Sequence, residues 1–178
     1  MPDAITVIRI IGGICVVAAG VLWGEMKARG LQFRLRQLQQ LQQAMRLLST
    51  EVSYTATPLP YAFSRIGNRL GGMVGELFLQ TSREMIGSSD LGAREAWVKT
   101  LRDFQPFTRF TGEDCKVMEQ LGTSLGLTDR EGQVKQIQLV SSELEYALEE
   151  ARRERDRHEK MWRYLGVLGG FGLVVFLM

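Results

Sequence analysis

The side chains that could do covalent or acid–base chemistry in this chain are few and poorly placed for it. The single histidine, His158, lies within Glu149–Lys160, a stretch nearly filled by five acidic and five basic residues. A nucleophile needs a positioned base beside it, and an imidazole in a charge-saturated run is a poor one. Of the two cysteines, Cys15 falls in an apolar run and Cys115 in a predicted amphipathic helix. They are not expected to meet, which points to a reducing compartment and against a disulfide framework or a Cys/His metal site. Two carboxylate pairs occur, Glu113 with Asp114 and Glu149 with Glu150. Adjacent residues on a helix point in different directions, so both pairs read as solvated surface and not as acid–base dyads. No phosphate-cradling glycine loop is present; the glycine pairs fall at helix ends or in apolar runs. Lys and Arg total 22 against 20 Asp and Glu, so no strong field draws nucleic acid. The expectation is a protein that binds and does not catalyse, with no cofactor, metal or small-molecule substrate.

The elements that must position a binding surface begin with the two ends. Mean hydropathy is near zero, but the apolar excess is concentrated in Ile5–Trp23 and Tyr164–Met178. Ile10–Gly24 carries no charge, and extension back through Ala4 gives about 20 residues, the length of a transmembrane helix. Arg9 would then snorkel to the headgroups. The uncharged run Tyr164–Met178 would rise only roughly 22 Å as a helix, short of the ~30 Å hydrocarbon core, so bilayer thinning or pairing with another helix is expected. Trp23, Trp162, Arg163 and Tyr164 are the types that anchor at an interface. Gly20 and Gly24, like Gly166 and Gly170, are spaced four apart, which suits helix–helix packing in lipid and is also common in any span. Lys27, Arg29, Arg34 and Arg36 follow the first run, and Arg152, Arg153, Arg155, Arg157, Lys160 and Arg163 precede the second. The positive-inside rule therefore places residues 25–163 in the cytoplasm and both termini outside. A cleaved secretory signal ending near Ala18–Gly20 competes with this reading, but the basic residues directly after the run oppose translocation. The expected domains are 1–24 and 164–178 as spans, with 25–163 between them.

That middle reads as helix almost throughout. Leu31, Leu35, Leu38, Leu41, Met45 and Leu48 recur at three- and four-residue steps, predicting a helix to about Tyr54. Thr57-Pro58 predicts an N-cap and a first-turn proline opening a helix over Pro58–Leu70, which Gly71-Gly72 ends. An amphipathic stretch over 73–86 follows (Val74, Leu77, Phe78, Met85), then a turn over Gly87–Gly92, then a helix over Ala93–Phe104 bearing Trp97 and Leu101. Trp97 shares the Leu101 stripe and reads as core. Thr111 with Asp114 is a weak capping box and Thr128 with Glu131 a good one. The last helix carries Val134, Ile137, Val140, Leu144, Leu148 and Ala151, and is expected to run through the mixed-charge stretch as a solvated helix into the second span. No strand signal competes. The fold class is all-α, a compact bundle of about six helices flanked by a transmembrane helix at each end.

Three stretches together resemble the stage III sporulation protein AB family of endospore-forming bacteria. They are Thr50-Glu51-Val52-Ser53-Tyr54 with Thr57-Pro58-Leu59-Pro60-Tyr61-Ala62-Phe63; Leu121-Gly122 through Leu125-Gly126-Leu127-Thr128-Asp129-Arg130-Glu131-Gly132-Gln133; and Glu159 through Gly170 around Met161-Trp162-Arg163-Tyr164. Glu95-Ala96-Trp97 lies between the first two, and the likeness covers nearly the whole chain. One departure is the few extra residues before Arg9. The resemblance implies kinship with the cytoplasmic domains of type II secretion and type IV pilus inner-membrane platform proteins. It implies a subunit of a channel assembly between mother cell and forespore, in the membrane on the mother-cell side. It also implies a cytoplasmic secretion-type ATPase and other membrane subunits as partners, with possible homo-oligomers.

Two constellations are the candidate partner-binding residues. One is Glu51, Tyr54, Thr57, Pro58 and Pro60, whose structural alternative has Thr57 capping, the prolines shaping a turn and Tyr54 packing at a helix end. The other is Leu127, Asp129 and Gln133 around Thr128, where a capping box explains the pattern equally well. Three functions follow: a platform or scaffold subunit, a generic membrane-tethered helical adaptor unconnected with secretion, and an integral-membrane enzyme, which the missing chemistry disfavours.

Overall fold

The computed structural model describes residues 29–54, 57–87, 91–126, 129–157 and 161 in full, and residues 55, 158–160 and 162–177 as backbone only. Among the described residues the regular structure is helical: α1 over residues 29–50, α2 Leu59–Leu70, α3 Gly72–Gly87, α4 Ala93–Phe104, α5 Gly112–Gly122 and α6 Arg130–Leu177. A π-turn, Glu51–Thr55, follows α1, and a 3-10 turn, Gln105–Phe107, follows α4. The chain divides into two units; Phe33–Arg152 is the one that carries the core.

The apolar stripe of α1 faces inward as its spacing requires: Leu35, Leu38, Leu41, Met45 and Leu48 are buried, while Leu31 is half-buried. α6 supplies the matching stripe, with Ile137, Val140, Leu144, Leu148 and Ala151 buried and Val134 packed at its edge. Each fully buried leucine, isoleucine, valine or methionine among them stabilises the fold by about 1.5–3 kcal/mol relative to leaving it in water. At the centre Phe63, Phe78 and Trp97 form an aromatic triangle with ring centroids 5.0, 5.7 and 5.4 Å apart. Trp97 is fully buried, as its stripe predicts, and its indole N–H donates to the Met118 carbonyl at 2.7 Å, tying α4 to α5. A tryptophan can be buried at little cost only when that N–H finds such an acceptor.

The Gly71-Gly72 break is observed. Both residues have φ near +62°, a conformation that disfavours side chains. The Gly71 N–H donates back to Gly67 O at 3.1 Å, closing α2. The reversal lays α3 against α2 so closely that a Cβ on Gly67 would come within 2.7 Å of Gly75 O, and one on Gly75 within 2.6 Å of Gly67 O. Glycines at both positions permit that crossing.

Local expectations need four corrections. Thr57 is not the cap of α2: the helix opens at Leu59 with Pro58 in the cap position, and no side chain bonds the first turn. Pro60 lacks an N–H, and the Pro58 carbonyl takes those of Tyr61 and Ala62, so the Thr57 hydroxyl is released for another partner. α6 begins at Arg130, and Asp129 serves its first turn, its Oδ1 accepting from Gly132 N at 3.0 Å, while Thr128, the expected cap, lies outside the described residues. The Thr111–Asp114 box, weak on sequence, is complete in both directions. Finally, Asp114 and Arg34, read as solvated surface and as a membrane-flanking cation, are both buried.

α6 runs unbroken for 48 residues, so the helix passes through the mixed-charge stretch as expected. Glu149, Glu150, Arg152, Arg153 and Glu154 are exposed there. Among the described residues no helix is long and apolar enough to cross a membrane. Gly20, Trp23 and Gly24 of the expected first span lie outside the described residues. Trp162, Arg163, Tyr164, Gly166 and Gly170 fall where α6 is described as backbone only.

Candidate docking surface

The π-turn at the end of α1 is where the first constellation gathers. Thr50, Val52, Ser53 and Thr55 are weak helix formers, and the Thr50 hydroxyl donates back to Arg46 O at 3.0 Å. Pro58 then pushes Thr57 out of the helical region. The chain widens and leaves the helix over Glu51–Thr55, a geometry frequent at functional sites. At the corner Glu51 Oε2 accepts from the Thr57 hydroxyl at 2.8 Å and from Arg65 Nη1 at 3.4 Å. Pro60 is fixed from α3, its carbonyl accepting from Ser82 Oγ at 2.7 Å. Tyr54 does not pack at the helix end: it is 85% exposed, and Tyr61 in the first turn of α2 is 61% exposed. The structure thus joins Glu51 and Thr57 by a bond, adds Arg65, which the sequence reading missed, and leaves two tyrosines in solvent.

The second constellation divides. Asp129 is occupied as a helix cap, Gln133 lies in the first turn of α6 with its N–H on Asp129 O at 3.0 Å, and Leu127 lies outside the described residues.

A second polar cluster went unread because its halves are 80 residues apart. Arg34 Nε donates to Asp114 Oδ2 at 3.0 Å and Nη2 to Oδ1 at 3.1 Å, a two-pronged pair between α1 and α5. Asp114 also accepts from Thr111 N at 2.8 Å and donates its own N–H to the Thr111 hydroxyl at 3.1 Å. With 1% of Asp114 exposed, its carboxylate is committed to structure and is not available as a base. Its neighbour Cys115 is equally unsuited to attack. Burial pushes the thiol up from its ordinary value, and the nearby Asp114 and Glu119 charges push it further, so it stays a thiol. Among the described residues no group of three His, Cys, Asp or Glu could hold a metal ion, and no buried side-chain polar atom lacks a hydrogen bond.

On the outer side of α1 a groove of about 720 Å³ opens toward the start of α3 and the 3-10 turn. Phe33, Met73 and Phe107 line it and are 55%, 38% and 72% exposed. Large apolar side chains gathered in solvent around a groove are a feature of interaction surfaces.

Comparison with known proteins gives one consistent result. Residues 9–178 match the family model described as stage III sporulation protein AB. The chain is 32% identical over 171 residues to the stage III sporulation protein AB of Bacillus subtilis (strain 168), covering 96% of this chain and 99% of that protein. It also superposes on a solved structure of stage III sporulation protein AB with a TM-score of 0.66 at 31% identity, covering 70% of this chain and 98% of that one. The chain belongs to the stage III sporulation protein AB family.

Proposed function

We propose that this sporulation protein is a non-catalytic platform subunit of a secretion-like channel complex, anchored in the cell membrane by both ends, whose domain docks a cytoplasmic ATPase. The observation that carries the reading is a contrast within one domain. The buried polar groups are spent on internal bonds, whereas Tyr54 and Tyr61 stand in solvent beside a corner built from Glu51, Thr57 and Arg65. Tyrosine is enriched among the few residues that dominate interface energy, because it buries a large rigid area at small entropic cost. Residues 25–163 then face the cytoplasm on the mother-cell side, and nucleotide hydrolysis belongs to the partner.

The test is affinity isolation of the detergent-solubilised full chain from sporulating cells, with mass spectrometry of what comes with it. A secretion-type ATPase should co-purify, and its recovery should fall at least about tenfold with Tyr54→Ala plus Tyr61→Ala, the loss expected when interface anchors are removed. Recovery of the chain alone sinks the platform reading. Protease protection in intact spheroplasts checks the topology; cleavage between residues 25 and 163 from outside would reverse it.

A further inference from the structure

The groove on α1 has a chemistry of its own, distinct from the tyrosine corner. Phe33, Arg36, Gln37, Gln40 and Gln43 recur at steps of three and four and so form one stripe along α1, opposite the buried leucines. At a rise of ~1.5 Å per residue that stripe is about 15 Å long, three turns of a docked helix. The far wall is fixed in place. Gln37 Oε1 accepts from Arg109 N at 2.8 Å, pinning the segment after the 3-10 turn to α1, and the positive-φ glycine pair sets Met73 at the start of α3. Phe107 and Arg109 therefore stand at a rim that does not have to be ordered on binding.

Every charge lining the groove is positive. Arg36 and Arg109 both contribute, no acidic residue does, and among the described residues neither guanidinium has an ion-pair partner. Two cations are too few for a phosphate polymer, whose binding rests on many such contacts. Three large apolar side chains with amides between them match a peptide surface instead: anchors for apolar residues, and donors and acceptors for the polar edge. We infer that this groove receives an acidic amphipathic helix of a partner protein, its apolar face on Phe33, Met73 and Phe107 and its carboxylates on Arg36 and Arg109. The inference rests on the platform reading for the existence of a partner and goes beyond it in naming the face and the chemistry of the segment.

Site-specific photo-crosslinking tests it in the full chain. p-Benzoylphenylalanine replaces Phe107 or, separately, Phe33, in sporulating cells, with Tyr54 as a comparison site, and mass spectrometry identifies the crosslinked peptide. The expected adduct from both groove positions is one protein segment rich in Asp or Glu, with large apolar residues at three- and four-residue spacing. Arg36→Glu plus Arg109→Glu should reduce that adduct at least about tenfold with the melting temperature unchanged, since both side chains are exposed. Adducts to a second copy of this chain, to lipid or to a basic segment overturn the inference, as does an adduct indifferent to the charge reversal. An ATPase adduct from Tyr54 with none from the groove overturns this inference and leaves the platform reading standing. An acidic-helix adduct from the groove with no ATPase recovered from either site does the reverse.

Discussion

Two carboxylates in this protein are each held by a threonine and an arginine, and they play opposite parts. Asp114 is 1% exposed and takes two bonds from Arg34 and one from the Thr111 backbone, so its charge leaves water only because every lone pair facing inward is matched. Glu51 is 20% exposed, its Arg65 partner is 64% exposed, and the contact between them is 3.4 Å. The first cluster is a joint that fixes α5 against α1. The second is a corner at the surface, partly open to water. The same residue types make a buried joint in one place and a partly solvated corner in the other.

Breaking the joint is the largest effect the comparison predicts. Asp114→Ala removes the buried carboxylate that two Arg34 donors and the Thr111 N–H address and should cost about 3–5 kcal/mol in urea unfolding of the solubilised chain. Replacing both partners by apolar residues, Arg34→Met with Asp114→Leu, should recover part of that loss, because the two buried charges go together while the Thr111 N–H still loses its acceptor. A single substitution costing under about 1 kcal/mol would place Asp114 with ordinary surface carboxylates and erase the distinction.

The opposite corner should behave the other way. Thr57→Ala removes one hydrogen bond and Glu51→Gln the charge of the Arg65 pair at a partly solvated site, so stability should change by about 1 kcal/mol or less in either case. Partner recovery should change more than stability does, because the Glu51 bond holds the turn that presents Tyr54. Equal losses of both would mean that the corner is a second joint.

Most of the helical skeleton was legible because it rests on local chemistry. The 3.6-residue stripes of α1 and α6 and the Gly71-Gly72 break are written in neighbouring residues, and each stands where its spacing puts it. The stripe that Trp97 shares with Leu101 places it in the core, and the structure adds the acceptor that burial demands. What could not be read depends on distant partners. Nothing beside Arg34 marks it as buried, since its partner lies 80 residues on, and positive charge after an apolar run has a ready membrane explanation. Thr57 misled for a local reason: a threonine before a proline has the form of a cap, but Pro60 removes one donor that a cap would serve. The groove was invisible because Phe33, Met73 and Phe107 come from three elements, and no single periodicity links them.

The smallest predicted effect extends the comparison to a third carboxylate, held by a lysine. Lys99 Nζ lies 2.8 Å from Glu84 Oε2, with half of the lysine side chain in solvent. The Lys99 hydrogen bond holds the Glu84 carboxyl below its ordinary 4.5, against partial desolvation that pushes it up, with Gln80 adding a second bond. The same pair holds Lys99 above its ordinary 10.5. A depressed carboxyl stabilises the fold above its unfolded value and loses that contribution as pH falls through the folded one. A raised amine stabilises below its unfolded value and loses the contribution as pH rises through the folded one. The stability difference between the native chain and Glu84→Gln should therefore be a plateau from about pH 4.5 to 10.5 that closes on both sides. It should also shrink in salt, because exposed pairs are screened. A difference that stays constant across pH would show that Glu84 acts through packing, as a buried joint does, and the division between buried and solvated carboxylates would then fail at this third member.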